Sequence, residues 1–317
     1  MMKNILITGA SGQIGSDLTI ELRRLFGNNN VIASDIKPGT REIMQGGPFE
    51  TVDVMDKKRI VEVVDNYNIT EIYHLAAILS GNAEKKPKWA WDINMASLFN
   101  VLDIGKEKGI KKIFWPSSMG AFGASTPAID TPQLTIMEPS TVYGISKLAG
   151  ERWCEYYFNK YGLDIRSLRY PGLISWKTEA GGGTTDYAVE IFYDAIKCGK
   201  YECFLSEDIA LPMMYMDDAV KATIQLMETD AKNVKVRSSY NLGGISFTPK
   251  ELSDEIKKYI PELEVIYKPD FRQEIAESWP RSISDEAAQK DWGWKHEFGL
   301  EQMTKVMIEN IRKKLQK

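Results

Sequence analysis

Tyr143 and Lys147 stand in the run Tyr143-Gly144-Ile145-Ser146-Lys147. On a helix that spacing puts a phenol and an ammonium on one face. A phenol ordinarily ionises near pH 10, and a neighbouring positive charge favours its phenolate. Such a phenolate can take the proton from an alcohol while a hydride leaves the same carbon. Upstream, Ile113-Phe114-Trp115-Pro116-Ser117-Ser118 reads as a strand ending in two hydroxyls. Ligands bind at the C-terminal edge of parallel strands in open α/β sheets. Ser118 is therefore the candidate to hold the alcohol oxygen beside Tyr143. Strand-end hydrogen bonding is the plainer role for both serines, and Phe114-Trp115-Pro116 reads as core.

A departing hydride needs an acceptor, and the start of the chain offers a place for one. Ile5-Leu6-Ile7-Thr8 runs into Gly9-Ala10-Ser11-Gly12-Gln13-Ile14-Gly15, a strand followed by G-x-x-G-x-x-G and then a helical pattern. Gly9 allows a sharp turn. Gly12 leaves room for a pyrophosphate to approach backbone N–H groups, with Gln13 and Ile14 supplying donors. Gly15 is expected to let the helix pack close to the sheet. The phosphates then meet the helix N-terminus, where unpaired donors and the dipole favour anions. Asp35 follows about 20 residues after Gly15, at the end of the second strand pattern. A carboxylate there accepts from the ribose hydroxyls and repels a 2′-phosphate, so NAD is expected rather than NADP. Lys37 lies close enough to modify that preference. Asp53, ending Thr51-Val52-Asp53, is a candidate for the adenine amino group or a plain loop aspartate. With a nicotinamide bound, its cation would join Lys147 in favouring the phenolate, and Lys147 would also bond the nicotinamide ribose.

The elements that must position these groups follow from hydrophobic rhythm. Strands are predicted at 3–8, 31–34, 49–52, 71–75, 112–116 and 164–169. Helices are predicted at 14–26, 56–67, 89–109 and 143–161. Strands alternating with helices imply a parallel sheet covered on both faces, a Rossmann-type doubly wound α/β fold. After Tyr170 the rhythm changes. Residues 175–186 read as a loop containing Gly181-Gly182-Gly183, followed by helices near 187–197, 217–227, 249–259 and 301–315 and strands near 213–215 and 240–242. Thr248-Pro249 reads as an N-cap with a first-turn proline. The expected organisation is a nucleotide-binding domain over 1–170. A smaller α/β substrate region follows over 171–317, with the chain free to cross between them.

Composition narrows the class. The chain has 317 residues, enough for one large α/β unit or two modest domains. Charged residues are 26% and aromatics 10%, which is globular rather than disordered or fibrous. Net charge is −4 with no basic stripe, which argues against nucleic acid as the main partner. No apolar run is long enough for a membrane span, and residues 1–8 lack a signal-peptide core. Cys154, Cys198 and Cys203 form no CxxC pair, so reduced thiols in the cytoplasm are expected. With only His74 and His296, no zinc or other metal site is expected. Glu84-Lys85-Lys86-Pro87-Lys88 reads as a solvated turn.

The glycine loop, Asp35, His74-Leu75-Ala76-Ala77, Ser118 and Tyr143-x-x-x-Lys147 together resemble the extended short-chain dehydrogenase/reductases, which include the nucleotide-sugar epimerases. The resemblance covers the whole chain. It implies a Ser/Tyr/Lys site with Tyr143 as base and Lys147 beside it. It also places Leu75, Ala76, Ala77 and Tyr170 at the cofactor.

The second half narrows it further. Ser167-Leu168-Arg169-Tyr170-Pro171-Gly172, Gly181-Gly182-Gly183-Thr184-Thr185-Asp186, Leu211–Ala219, Phe271-Arg272 and Ser278-Trp279-Pro280 look like the short-chain-type L-threonine 3-dehydrogenases. The resemblance implies NAD-dependent oxidation of the threonine β-hydroxyl to 2-amino-3-oxobutanoate. Threonine is small and zwitterionic. Thr184 and Thr185, leading into a helix, can grip its carboxylate, Ser80 can meet either charged end, and Trp279 can cover the pocket. Helix capping for the hydroxyls and core packing for Trp279 are the plain alternatives. The aromatic stripe Trp153, Tyr156, Tyr157 and Tyr161 admits two roles. The resemblance implies a homodimer through helices near 89–109 and 143–161, and packing within one chain explains the same stripe. A nucleotide-sugar 4-epimerase or dehydratase, with Arg169 and Arg272 as partners for a UDP, shares the first-half motifs. A non-catalytic NAD sensor shares the fold, but such a protein has no need of the intact Ser118, Tyr143 and Lys147 set.

Overall fold

In the computed structural model, which describes residues 3–178 and 181–316, strands and helices alternate through the first half. Strand β1 (Ile5–Thr8) leads to helix α1 (Gln13–Phe26). Next come β2 (Val31–Asp35), α2 (Arg41–Gln45), β3 (Phe49–Thr51), α3 (Lys57–Asn66) and β4 (Glu71–His74). Helices α4 (Ser80–Lys85) and α5 (Pro87–Lys108) precede β5 (Lys112–Ser118), and α6 (Val142–Tyr161) precedes β6 (Ile165–Tyr170). The second half holds β7 (Gly172–Ile174), α7 (Tyr187–Cys198), β8 (Lys200–Cys203), β9 (Leu211–Tyr215), α8 (Met216–Glu228) and β10 (Tyr240–Asn241). It closes with β11 (Ile245–Phe247), α9 (Pro249–Lys257), β12 (Glu264–Tyr267), α10 (Arg272–Glu277), α11 (Glu286–Trp292) and α12 (Leu300–Leu315).

Seven strands form one sheet in the order β10-β6-β5-β4-β1-β2-β3, with every pairing parallel. The order reverses at β1, so a crevice opens between the C-terminal ends of β1 and β4. Alternate side chains of each strand enter different cores. Ile5 and Ile7 face Leu18, Leu22 and Leu226 of α1 and α8, whereas Leu6 faces the cluster holding Val63, Leu98, Leu102 and Cys154 of α3, α5 and α6. Burial on both faces explains why β1 is a continuous apolar run rather than an alternating one. Phe114, Trp115 and Pro116 are buried in β5, as expected.

The boundary at residue 170 does not divide the chain cleanly. Helix α8 packs on α1, and β10 pairs β6 in register Tyr240↔Leu168, so the second half returns to the first sheet. Helix α11 also joins the first core, through Ala288 and Trp292, while most other second-half elements enclose a separate core around Phe192, Leu211, Leu252 and Met307. Two small sheets, β11-β9-β7 and β12-β8, flank it. The N-cap reading of Thr248 holds as a full capping box: its hydroxyl accepts from Glu251 N, and the Glu251 carboxylate accepts from Thr248 N. The charge run at 84–88 is not simply a solvated turn. Glu84 and Lys85 end α4, Pro87 starts α5, and Glu84 is half-buried against the start of α6.

Candidate active site

The glycine loop sits at the crevice, and its three glycines have different physical reasons. Gly9 has φ +76°, and a Cβ there would fall 2.6 Å from Ala76 N at the end of β4. A Cβ on Gly15 would fall 2.1 Å from the Gly9 carbonyl. Gly15 thus lets α1 fold back onto its own loop, not onto the sheet as the sequence suggested. Gly12 is the N-cap of α1, and a Cβ there would meet only the Gly9 carbonyl, at 3.2 Å. The first turn of α1 carries no acidic residue and its N-cap no side-chain bond, so its donors remain free for an anion. Gln13 Nε2 is buried with no partner.

Asp35 ends β2, half-exposed. Its carboxylate accepts from Ser11 N at 3.1 Å and Lys37 N at 3.2 Å, which ties the strand end to the glycine loop. Asp53 is exposed beyond β3 and accepts from Met55 N at 2.9 Å, a turn arrangement. Asp35, Asp53 and Ala76 lie outside the lining of the cavity described next.

A cavity of about 220 Å³ lies over the ends of β1, β4, β5 and β6. Gly9, Gly12, Gln13, Ile14, Gly15, Leu75, Ala77 and Tyr170 line its inner wall; Ser118, Tyr143 and Lys147 line its side; Ser80, Thr184, Thr185 and Trp279 line its outer end. Met119, Gly172 and Asp186, to which the sequence assigned no role of their own, join them. The Tyr170 hydroxyl is turned away and pairs with Thr223 Oγ1 of α8.

Tyr143 occupies the first turn of α6, held there by small residues. A Cβ on Gly144 would fall 2.1 Å from the Gly120 carbonyl, and one on Gly120 would fall 3.2 Å from the Tyr143 ring. This close approach sets the phenol beside Ser118. Burial pushes the Tyr143 phenol up, and a hydrogen bond from Ser118 pulls it down. Lys147 Nζ donates to the Pro116 carbonyl at 2.6 Å, 5.5 Å from the centre of the Tyr143 ring and 4.6 Å from that of Trp115. Burial lowers the Lys147 ammonium to about 8. Within the chain itself burial leaves Tyr143 raised; the expected lowering needs the nicotinamide cation as well as Lys147. His74, buried between Thr8 Oγ1 at 2.8 Å and Ser97 Oγ at 3.3 Å, is lowered to about 3 by burial and then by Lys147, and stays neutral.

At the outer end, Ser80 Oγ and Thr184 Oγ1 lie 3.4 Å apart, both buried. Asp186 accepts from Gly182 N and Gly183 N at 2.7 Å each and shapes the glycine run. Burial raises its carboxyl while those N–H groups and Arg272 lower it. The Thr pair does not cap α7, whose N-cap is Asp186. Gly172 makes room for Thr185: a Cβ there would fall 2.8 Å from Thr185 Cβ and 2.3 Å from Met213 Sδ. Trp279 packs in the second core while lining the cavity. Within the expected 175–186 loop, Glu179 and Ala180 lie outside the described residues. Among the described residues no three His, Cys, Asp or Glu side chains converge to hold a metal. The two arginines considered for a UDP are otherwise engaged. Arg169 is buried against Glu151, and Arg272 pairs with Asp270 at 2.7 Å and stacks on Phe204.

A doubly wound sheet with a glycine loop at its crevice and a Ser/Tyr/Lys wall defines an NAD-linked oxidoreductase type of site. Residues 5–243 match the NAD dependent epimerase/dehydratase family, and the chain belongs to that family. An uncharacterized epimerase/dehydratase of Staphylococcus saprophyticus is 47% identical over 315 residues, covering 99% of this chain and 98% of that protein. A GalE-like L-threonine dehydrogenase from Cupriavidus necator, in its holo form, superposes with TM-score 0.95 at 51% identity, covering 97% of this chain and 99% of that one. A protein described as a monomeric L-threonine 3-dehydrogenase from a metagenome superposes with TM-score 0.94 at 46% identity, covering 98% and 99%.

NAD, the family's cofactor, fits the residues present. The open space at Gly12, the open N-terminus of α1 and the orphaned Gln13 Nε2 together suit a pyrophosphate.

Proposed function

We propose that this protein oxidises L-threonine at its β-hydroxyl, yielding 2-amino-3-oxobutanoate and NADH. The observation that carries the reading is one cavity lined at once by the glycine loop, by Ser118, Tyr143 and Lys147, and by Ser80, Thr184 and Thr185. The two arginines considered for a UDP are paired with Glu151 and Asp270, which disfavours a nucleotide-sugar substrate. The similarity to two L-threonine dehydrogenase structures supports the same choice.

In this reading, bound NAD supplies the hydride acceptor and a positive charge. Ser118 holds the β-hydroxyl oxygen. Tyr143 takes the hydroxyl proton as the Cβ–H bond gives up its electron pair as hydride and the C–O bond becomes a carbonyl. Lys147 bonds the nicotinamide ribose and helps stabilise the phenolate. Asp35 accepts from the adenosine ribose hydroxyls and selects NAD over NADP. Gln13 and Ile14 give donors to the pyrophosphate, Asp53 faces the adenine, and Leu75, Ala76, Ala77 and Tyr170 pack the cofactor. Ser80, Thr184 and Thr185 hold the amino-acid end, and Trp279 excludes water.

We also read the chain as a cytoplasmic homodimer. Trp89, Trp91, Ile145, Trp153, Tyr156 and Tyr161 on α5 and α6 are exposed large hydrophobics, a face suited to a second copy. Analytical ultracentrifugation checks this, and a monomer at micromolar concentration would remove it. No helix among the described residues is long and apolar enough to cross a membrane, and the three cysteines are free.

The test is NADH absorbance on mixing the protein with NAD and L-threonine. Parallel cuvettes hold NADP, L-serine, L-allo-threonine and UDP-glucose. NADH from threonine, lost at least about 100-fold in Tyr143→Phe with NAD binding kept, is expected. Turnover of the UDP-sugar instead would replace this reading with an epimerase. Bound NAD with no turnover of any substrate would replace it with a sensor.

A further inference from the structure

Behind the catalytic wall lies a buried ion pair that does not line the cavity. Glu151 and Arg169 side chains are 0% and 2% exposed, and Arg169 Nη2 lies 2.7 Å from Glu151 Oε2. Glu151 Oε1 accepts from Arg169 Nε at 2.9 Å and from Ser117 Oγ at 2.6 Å. Arg169 Nη1 reaches the Gln133 carbonyl at 3.1 Å and Asn241 Oδ1 at 3.0 Å. Ser117 precedes Ser118 on β5, Glu151 is one turn beyond Lys147 on α6, and Arg169 is on β6. One carboxylate therefore joins the strand that carries Ser118 to the helix that carries Tyr143 and Lys147.

A buried ion pair is a poor way to gain stability, because a well-packed apolar pair serves as well or better. Its placement calls for another reason. We propose that Glu151 and Arg169 are a positioning pair for the reaction, fixing α6 against the ends of β5 and β6 and setting the Glu151 carboxylate as the counter-charge of the Lys147 ammonium. This rests on the reading of Tyr143 and Lys147 as the reacting pair.

The groups around Lys147 single out Glu151. On α6 they are Tyr143, Glu151 and Cys154; β4 presents His74; β5 presents the Trp115 ring and the Pro116 carbonyl; β6 presents Arg169 beyond Glu151. His74 is neutral, since burial lowers it to about 3. Burial raises both the Tyr143 phenol and the Cys154 thiol, so Cys154 carries no charge where Lys147 titrates. Burial pulls Lys147 down to about 8, and Glu151 opposes that pull. A negative charge one turn away keeps the ammonium present at working pH.

The test is the pH profile of kcat/KM for threonine oxidation by the whole protein with saturating NAD. The free substrate's own titration is common to every variant and cancels. Glu151→Gln is expected to move the alkaline limb down by about half a pH unit or more, roughly a threefold loss at a fixed pH on that limb. Ser117→Ala loosens the tether but keeps both charges, so it should lower the rate and leave the limb in place. Should Glu151→Gln not fold, the double variant E151Q/R169M removes both charges of the pair; because the lost guanidinium offsets part of the lost carboxylate, it should move the limb the same way by less. A limb that stays put in the glutamate variants, or failure of both to fold, overturns the proposal and leaves the pair as scaffold. Lys147→Arg identifies the titrating group, because a guanidinium does not titrate there. A limb that persists in Lys147→Arg is not the lysine's, and that outcome also overturns the proposal; the catalytic reading falls separately, if Tyr143→Phe keeps its rate.

Discussion

The Glu84 carboxylate, at the end of α4, accepts the backbone N–H of Val142 at 2.8 Å, and Val142 is the residue before Tyr143. Thr141 caps the same helix end by accepting from Gly144 N at 3.0 Å. The helix that presents Tyr143 is thus held at its first turn by two acceptors, one local and one from a separate element. The same α4 meets the outer end of the cavity: Ser80 lies beside Thr184, Asn82 donates to the Gly181 carbonyl at 3.3 Å, and Gly81 leaves room for the Gly182 carbonyl.

Removing that distant cap costs both stability and rate. Glu84→Ala leaves the Val142 N–H without its acceptor and is expected to destabilise by about 1 kcal/mol. Because Tyr143 sits in that first turn, kcat should fall several-fold while the NAD Kd stays put. Glu84→Gln keeps an acceptor and should recover most of the rate. Thermal melts and steady-state kinetics of the two variants read this out, and an alanine variant with unchanged kcat would refute the coupling.

The glycine loop yields a contrast between neighbours. Gly15→Ala places a methyl 2.1 Å from the Gly9 carbonyl and should destabilise the fold by about 1–3 kcal/mol. Gly12→Ala meets only that carbonyl at 3.2 Å, so it should fold nearly as the parent does. In the proposed cofactor pose its methyl would meet the pyrophosphate, so NAD affinity should drop at least about tenfold. Calorimetry of folding and of NAD binding separates the two. Equal losses in both measurements for both variants would contradict this.

Gly172→Ala should act on the substrate end alone. The added methyl falls against Thr185 Cβ and Met213 Sδ, and one of them must move. We expect KM for threonine to rise about tenfold or more, with NAD binding within twofold of the parent. A variant whose NAD binding fails while KM holds would place Thr185 elsewhere in the reaction.

His74 sets an acid limit on stability. Its folded-state value, about 3, lies below the ordinary 6.5, so the unfolded chain binds the extra proton first. The stability it contributes is full above about pH 6.5 and is lost as pH falls toward about 3, at up to about 1.4 kcal/mol per pH unit. His74→Gln cannot take up that proton. Its melting temperature should fall less steeply between pH 6 and 4 than that of the parent. Parallel curves would show that other groups govern acid unfolding.

Much of the fold was legible from residue order. The apolar runs at Ile5–Thr8 and Glu71–His74, and the long helical patterns ending at Tyr161 and Leu315, fall within one to three residues of their predicted bounds, because period and turn residues are local signals. The short pieces were not: β7, β8, β11 and β12, and helices α2, α4, α10 and α11, span three to seven residues. Such segments are too brief to show a period, and tertiary packing decides them. Helix α4 is the telling case. Its Ser-Gly-Asn-Ala-Glu-Lys has no strong helix pattern, yet it connects the glycine run at 181–183 to the Tyr143 helix.

The sequence by itself determined the chemistry available: a strand-glycine-helix entry for a dinucleotide, a carboxylate at the end of the second strand, and a phenol and an ammonium one turn apart. Those are properties of residue type and short spacing, which the backbone's two periods convert into geometry. Tertiary structure alone decided which distant groups share a wall. It brought Thr184 to Ser80 across 104 positions, spent Arg169 on Glu151, turned the Tyr170 hydroxyl to Thr223, and aimed Lys147 at Pro116. The physical reason is burial. Once polar groups leave water each must find a partner, and which partner is in reach depends on how the elements pack.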